Sequence, residues 1–193
     1  MAIPARIHVL GASGSGTTSI GALLSAKHGH RHVDTDDFYW LPTDPPFQEA
    51  RPPGERLTLL RSALDESSSW VLSGSLCGWG DPLISEFDLV MFLVVPTEVR
   101  LARLRAREMA RYGREAVAPG GLLHATHVAF LNWAERYDTG DLEVRSRARH
   151  EAWLSNHLSI DGASVFVVTR GVLRSHRQLS PARSSDNRRA RQP

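Results

Sequence analysis

The chain reads Gly11-Ala12-Ser13-Gly14-Ser15-Gly16-Thr17-Thr18 between an apolar run and a stretch with the composition of a helix. Phosphate-binding loops follow the pattern G-x-x-x-x-G-K-[ST], and this stretch matches it except that Thr17 stands where the lysine belongs. The apolar run at residues 5–10 predicts a strand, and residues 17–28 predict a helix. Strand, loop and helix in this order distinguish a phosphate-binding loop from a chance cluster of glycines. We therefore expect residues 11–18 to bind the phosphates of a nucleotide.

Each residue type in this loop has a chemical reason. The glycines let the backbone turn several N–H groups toward one point, and the N-terminus of the following helix adds partial positive charge. Thr18 occupies the position whose hydroxyl usually ligates Mg²⁺. Lys27 is the only lysine in the chain, and it lies about 15 Å further along the predicted helix. The cation that the phosphates require must therefore come from elsewhere in the chain, and arginine is the only abundant candidate.

The composition predicts one globular domain that works in the cytoplasm. The chain has 193 residues, of which 41% are hydrophobic, and this is enough for a full core. No apolar run approaches the length of a membrane span, and the N-terminus does not have the pattern of a signal peptide. Cys77 is the only cysteine, so no disulfide can form within the chain.

The formal net charge of +2 conceals a basic C-terminal segment. Residues 174–193 contain six arginines and one aspartate, whereas the rest of the chain carries a net charge of −3. We expect a domain over residues 1–174 and a basic, disordered tail over residues 175–193. Because the predicted domain is mildly acidic, nucleic acid is not favoured as a partner, and only the tail would support such a role.

Apolar runs alternate with amphipathic runs, which predicts a five-stranded parallel sheet with helices on both faces. The predicted strands are 5–10, 30–34, 70–73, 87–95 and 164–168. The predicted helices are 17–28, 54–66, 97–112, 125–138 and 141–157. The Pro-rich stretch between the second strand and the second helix predicts a loop.

Three carboxylates, Asp34, Asp36 and Asp37, follow the second predicted strand. Ligands of open α/β sheets bind beyond the carboxyl ends of the strands, so we expect these acids beside the phosphate-binding loop. Asp34 and Asp36 are two residues apart and would face the same side of an extended segment. One would hold Mg²⁺ and its water shell, while the other would orient an acceptor hydroxyl or phosphate. The alternative is that these acids cap the next helix.

A row of arginines has the spacing of one helical face, and the row consists of Arg100, Arg103, Arg107, Arg111 and Arg114. Phosphoryl transfer requires cations over the migrating group, and a lid often supplies them. The glycines after this row predict a short helical lid at about residues 108–124. We expect Arg103 and Arg107 to close over the phosphates and to supply the charge that Thr17 lacks. The alternative is a solvated, salt-bridged helix face.

Two further features follow the third strand and the lid. Arg145, Arg147 and Arg149 form a second basic set, in which the first and the last have the i, i+4 spacing of one helical face. They are predicted to approach the phosphates from the far side of the lid. The glycine-rich residues 74–81 include Trp79, which would either stack on a flat acceptor group or pack a tight connection.

Over about residues 5–170 the chain resembles the adenylate-kinase-like branch of the P-loop small-molecule kinases. Asp34-Thr35-Asp36 is similar to the D-x-D of shikimate- and gluconate-kinase relatives, and Asp36-Asp37-Phe38-Tyr39 is similar to the D-x-F-Y of uridine-kinase-type enzymes. Asp36 to Trp40, followed by Trp70-Val71-Leu72-Ser73-Gly74, looks most like adenylate-kinase-related proteins labelled topology modulation proteins.

This resemblance implies the three-layer α/β fold of a P-loop NTPase and an ATP-dependent phosphotransferase with a small-molecule acceptor. ATP and Mg²⁺ would bind at residues 11–18, with Thr18 and Asp34 around the metal and Asp36 orienting the acceptor. The acceptor itself stays open. One alternative is a nucleotide-binding sensor with weak or no kinase activity, which the missing lysine favours. Another is an RNA- or DNA-associated ATPase, which depends only on the basic tail.

Overall fold

A computed structural model describes residues 3–157, 164–169 and 172–175 of the protein. Its centre is a six-stranded sheet in the order β2-β3-β1-β4-β5-β6. The strands are β1 Arg6–Gly11, β2 Arg31–Asp34, β3 Trp70–Ser73, β4 Leu89–Val94, β5 Ser164–Thr169 and β6 Val172–Ser175. The first five are mutually parallel, and β6 pairs with β5 in antiparallel orientation. The predicted five-stranded parallel sheet is confirmed, and β6 extends its edge.

Seven α-helices lie within the described residues: α1 Thr17–His28, α2 Asp36–Tyr39, α3 Pro53–Asp65, α4 Thr97–Tyr112, α5 Arg114–Val117, α6 His124–Glu135 and α7 Arg147–His157. Helices α1 and α4 have the predicted bounds. Helices α2 and α5 were not predicted, because four residues are too few to display a helical period. Of the tail predicted at 175–193, residues 176–193 lie outside the described residues, and Ser175 ends β6.

Both faces of the sheet are buried. Ile7 and Val9 of β1 pack with Ile20 of α1 on one face. Leu10 of the same strand packs on the other face in a larger cluster that includes Leu60 of α3. A parallel sheet requires cover on both faces, and the alternation along β1 follows from the two-residue period of a strand. The predicted layers of helix, sheet and helix are confirmed.

The sheet register brings three loops together at one edge. Val9 pairs with Ser73, and Ser73 pairs with Asp34, so β1, β3 and β2 end at nearly the same level. The residues that follow these strands therefore emerge side by side, as the strand-end rule predicts. They are the predicted phosphate-binding loop, the acidic segment and the glycine-rich loop.

Arg100 is a structural residue of α4. Its side chain is buried, and its Nε and Nη1 donate hydrogen bonds to the carbonyl oxygens of Val95 and Ala134, each at 3.1 Å. Its Nη2 lies 2.8 Å from a carboxylate oxygen of Asp138. The prediction that five arginines form one phosphate-facing row is therefore wrong for Arg100, which joins α4 to the end of α6.

Replacing Arg100 with Met is expected to lower the free energy of unfolding by about 2–3 kcal/mol. Removal of one partner from a buried ion pair leaves unpaired polar groups, although the partial exposure of Asp138 reduces the penalty. Urea unfolding would measure this loss. Arg105→Met, at an exposed position of the same helix, is the matched control and should stay within about 0.5 kcal/mol of the wild type. Equal urea midpoints for the two variants would contradict the assignment.

Candidate functional site

The loop between β1 and α1 has the backbone geometry of an anion cradle. Gly14 and Gly16 have φ angles of 80° and 96°, and the amide of Ser15 donates to the carbonyl oxygen of Ala12 at 3.1 Å. Gly16 stands at the N-cap position of α1, where no side chain forms a capping hydrogen bond. The first N–H groups of a helix have no partner within the helix, so those of α1 are available to a phosphate.

The loop packs tightly against α4, and this contact explains both Gly14 and the position of Arg103. A Cβ atom at Gly14 would lie 2.7 Å from the carbonyl oxygen of Arg100, so no other side chain fits there. The Nη1 atom of Arg103 lies 3.3 Å and 3.4 Å from the carbonyl oxygens of Gly14 and Ser15. Arg103 thus contacts the carbonyl groups of the loop.

Oxygen atoms suited to a magnesium ion meet at the start of α1. The hydroxyl of Thr18 donates to Asp34 Oδ2 at 2.7 Å, and the hydroxyl of Ser73 donates to the same oxygen at 2.8 Å. Mg²⁺ prefers hard oxygen ligands and is usually held by one or two carboxylates together with phosphate oxygens and water. The predicted pair of Thr18 and Asp34 therefore fits this ion, although sequence reasoning missed Ser73.

Asp36 is the first residue of α2 rather than part of an extended segment. The predicted extended segment is therefore wrong, because the chain turns between Asp34 and Asp36, with the amide of Asp36 donating to Asp34 Oδ1 at 3.1 Å. This is an Asx turn, in which Asp34 binds the first amide of α2 while the N-cap residue, Thr35, forms no side-chain capping bond. The surrounding walls desolvate the Asp36 carboxyl, which together with nearby Asp34 raises its pKa, while Arg145 and Arg107 oppose the shift.

A cleft of about 340 Å³, here called the first cavity, lies over the loop. Its floor includes Ala12 to Gly14 and Thr17, and both Asp34 and Asp36 open into it. The guanidinium groups in its lining are those of Arg107, Arg111 and Arg145. The structure therefore places Arg107 on the cleft, whereas Arg103 is not among the lining residues. Closure of either arginine over the phosphates stays a prediction.

Arg145 was predicted only to approach the phosphates from the far side of the lid. Its Nη2 donates to the carbonyl oxygen of Gly11 at 3.2 Å, and its Nε is buried without a hydrogen-bond partner. The predicted helix from residue 141 begins only at Arg147, so the shared helical face of Arg145 and Arg149 is wrong. The reason is Ser146, whose hydroxyl accepts the amide of Arg149 at 3.0 Å and acts as the N-cap. Serine is a preferred N-cap residue, so Ser146 could have indicated the start of this helix from the sequence.

A second cavity of about 510 Å³ adjoins the first and shares Asp36, Trp40, Trp133 and Arg145 with it. Trp79 lines this cavity, and its Nε1 donates to the Ser75 carbonyl oxygen at 3.2 Å, whereas its stacking on an acceptor group stays a prediction. Burial raises the pKa of the Cys77 thiol to about 11, which is the opposite of an activated nucleophile.

The predicted lid forms one wall of the first cavity. Tyr112, Val117 and Leu123 line the cleft, and the amide of Leu123 donates to the carbonyl oxygen of Ala116 at 2.9 Å. Arg111 lies 4.7 Å above the ring of Phe47, so the end of α4 contacts the Pro-rich loop across the cleft. Movement of residues 108–124 stays a prediction.

The parallel sheet between helices, the loop at the start of α1 and the carboxylate at the end of a neighbouring strand define a P-loop NTPase fold. Residues 7–118 match the family model described as an AAA domain (AAA_18), and the chain belongs to this family. It is also 50% identical over 151 residues to the uncharacterized protein YqaC of Bacillus subtilis (strain 168), covering 78% of this chain and 83% of that protein.

Solved structures that are similar to this chain include small-molecule kinases. The shikimate kinase of Bacteroides thetaiotaomicron is 16% identical, with a TM-score of 0.48 over 86% of this chain and 87% of that one. The shikimate kinase of Acinetobacter baumannii, in complex with shikimate, is 19% identical, with a TM-score of 0.40 over 81% and 96%. A gluconokinase from Sinorhizobium meliloti 1021 is 20% identical, with a TM-score of 0.40 over 55% and 67%. At these identities no residue role passes to this chain.

None of the helices in the described part of the chain has the length and apolar character that a membrane crossing requires.

Proposed function

We propose that the protein is an ATP-dependent phosphotransferase that moves the γ-phosphate of ATP to a small hydroxyl-bearing molecule. The observation that carries the proposal is the convergence of Asp36 and two guanidinium groups, Arg107 and Arg145, on the cleft over the phosphate-binding loop. A protein that only binds nucleotide requires the loop, but it has no use for a carboxylate that lines both this cleft and a second cavity beside it. Such an enzyme would use cytoplasmic ATP.

In this proposal the nucleotide phosphates bind to the N–H groups of residues 11–18 and to the N-terminus of α1. Thr18 and Asp34 would hold Mg²⁺, which would supply positive charge to the bound phosphates. Arg103 keeps the loop in place through the Gly14 and Ser15 carbonyl oxygens, so its contribution to the phosphates is indirect. Arg107 and Arg145 supply the charge that Thr17 lacks.

Asp36 performs the proton transfer. Its carboxylate accepts the proton of an acceptor hydroxyl while the hydroxyl oxygen forms a bond to the γ-phosphorus and the bond to the leaving ADP oxygen breaks. A raised pKa makes Asp36 a stronger base than an ordinary aspartate, while the nearby Arg145 and Arg107 favour its ionised form. The products are ADP and the phosphorylated acceptor.

The direct test follows ADP formation from ATP and Mg²⁺ across a panel of nucleotides, nucleosides, sugar acids and polyols. Turnover that depends on one acceptor class would support the kinase. Tight ATP binding without acceptor-dependent turnover anywhere in the panel would overturn it and favour the second candidate, a nucleotide sensor. The feature in favour of that candidate is Thr17, because a loop without lysine stabilises the transferring phosphate less well.

Asp34→Asn is expected to raise the Mg²⁺ concentration required for half-maximal ATP binding by roughly tenfold to hundredfold. The variant keeps the shape of the side chain and removes the negative charge between Thr18 and Ser73. Calorimetric ATP titrations at several Mg²⁺ concentrations would measure the change. Asp37→Asn removes the same charge outside the lining of the first cavity, and its Mg²⁺ dependence should match the wild type. Identical Mg²⁺ dependence in Asp34→Asn would exclude the assigned metal role.

A further inference from the structure

The second cavity carries an excess of positive charge. Among the described residues its lining contains three arginines, Arg56, Arg145 and Arg149, and one carboxylate, Asp36. Among the described residues, none of the three arginines has a carboxylate oxygen within 4.0 Å. By contrast, seven other arginines of the described chain have such a partner: Arg31, Arg51, Arg61, Arg100, Arg107, Arg111 and Arg147. The unpaired buried and half-buried guanidinium groups are thus concentrated around this cavity.

Arg56 is held in place but not neutralised. It is a buried residue, its guanidinium carbon lies 3.8 Å from the centre of the Tyr39 ring, and its Nε donates to the carbonyl oxygen of Arg51. These contacts use the ring face and one nitrogen, so the two terminal nitrogens have no hydrogen-bond partner among the described residues. A buried charge without a counterion is costly, which makes an anionic ligand the natural partner.

Arg149 faces the same cavity from α7. Its Nη1 donates to the carbonyl oxygen of Glu143 at 3.0 Å. This bond fixes the side chain and does not use its other two nitrogens. A Cβ atom at Gly78 would lie 2.8 Å from Arg149 Nη2, so the glycine gives the guanidinium group the space it occupies. The absence of a side chain at Gly78, in the loop after β3, therefore leaves room for this cation.

We propose that the second cavity binds an acceptor that carries an anionic group, a carboxylate or a phosphate, held by Arg56 and Arg149. The same molecule presents a hydroxyl to Asp36, which lines both cavities and stands between the anion and the phosphates of ATP. The bound molecule is an acceptor only if the proposed kinase function holds, but binding of the anion can be tested without turnover. A neutral polyol or nucleoside would leave both guanidinium groups unpaired.

The experiment measures acceptor binding by calorimetry with the first cavity saturated by Mg²⁺ and a non-hydrolysable ATP analogue. The panel contains matched pairs that differ in charge: gluconate with sorbitol, AMP with adenosine, and CMP with cytidine. We expect one anion to bind at least tenfold more tightly than its neutral counterpart. The pair that shows this preference also distinguishes a carboxylate from a phosphate.

Arg56→Gln and Arg149→Gln are each expected to weaken binding of the preferred anion by roughly tenfold to hundredfold, as expected for the loss of a charge-assisted hydrogen bond. Arg105→Gln is the control, because Arg105 is exposed and lines neither cavity. This variant should bind the anion like the wild type. Affinity for the ATP analogue should stay unchanged in all three variants, which shows that each is folded.

Equal binding of anions and neutral counterparts, or an anion preference that survives both arginine variants, would overturn the proposal. Absence of binding by every anion in the panel would overturn it as well. Failure of the kinase function has a different signature, because the anion would then bind in an arginine-dependent way while no ADP forms in its presence.

Discussion

Asp36→Asn is expected to lower kcat for acceptor phosphorylation by roughly 10²–10⁴ while ATP affinity stays unchanged. Asparagine has nearly the same shape but cannot accept the hydroxyl proton, so binding survives and the transfer step does not. Steady-state kinetics combined with calorimetric ATP titration would separate the two quantities. Asp37→Asn is the matched control, since Asp37 is the adjacent carboxylate and does not line either cavity.

The pH profile provides an independent check on the same residue. Burial and Asp34 raise the pKa of Asp36 above its ordinary value of 3.8, so the folded protein retains this proton to a higher pH than a free aspartate would. The base is active only when ionised, and log(kcat/KM) should therefore fall with unit slope as the pH drops through the raised pKa. Asp36→Asn should remove this limb. Full activity in Asp36→Asn, or an unchanged acid limb in that variant, would exclude Asp36 as the base.

Arg145→Met is expected to lower kcat by about 10³, the lower end of the range for an arginine that stabilises a transferring phosphate. Arg145 contacts the carbonyl oxygen of Gly11 at the start of the loop and lines both cavities, so under the proposed function it can contact the phosphate that passes between them. Single-turnover kinetics would measure the chemical step directly. Arg147→Met is the control, because Arg147 pairs with Glu151 and lines neither cavity.

A second substitution distinguishes compensation for the missing lysine from a general role in catalysis. Thr17→Lys restores the usual residue of the loop, and we expect the wild type to tolerate it. In the Arg145→Met background we expect Thr17→Lys to raise the activity at least tenfold. The same rescue should be weaker for Arg107→Met, because Arg107 also pairs with Glu108. If Thr17→Lys rescues neither variant, arginine does not replace the lysine, and the sensor function becomes the better account of Thr17.

The local parts of the fold were predictable from residue order. Helix α1 begins at Thr17 because three glycines and a helix-forming run meet there, and α4 ends at Tyr112 because Gly113 follows. The proximity of Thr18 and Asp34 was also predictable, since parallel strands end at one edge, and the two oxygens lie 2.7 Å apart. Their role as metal ligands stays a prediction.

The arginines were not predictable in the same way. Helical spacing placed Arg100, Arg103 and Arg107 on one face, but it could not say that the first is buried against Asp138 and the second contacts the loop carbonyl groups. Arg56 and Arg145 are 89 positions apart and meet at one cavity only because the sheet and α7 bring them there. No periodicity within either segment contains that information.

The sequence by itself determined the phosphate-binding loop, the parallel sheet and the carboxylates beside them, because each depends on neighbours within a few residues or on a general rule for strand ends. Only the tertiary structure decided which cations face the loop without its lysine and which surround the second cavity. The physical reason is that a guanidinium group stands at the end of a long side chain. Whether it pairs with a buried carboxylate, a backbone carbonyl group or a ligand depends on contacts between segments that lie far apart in the chain.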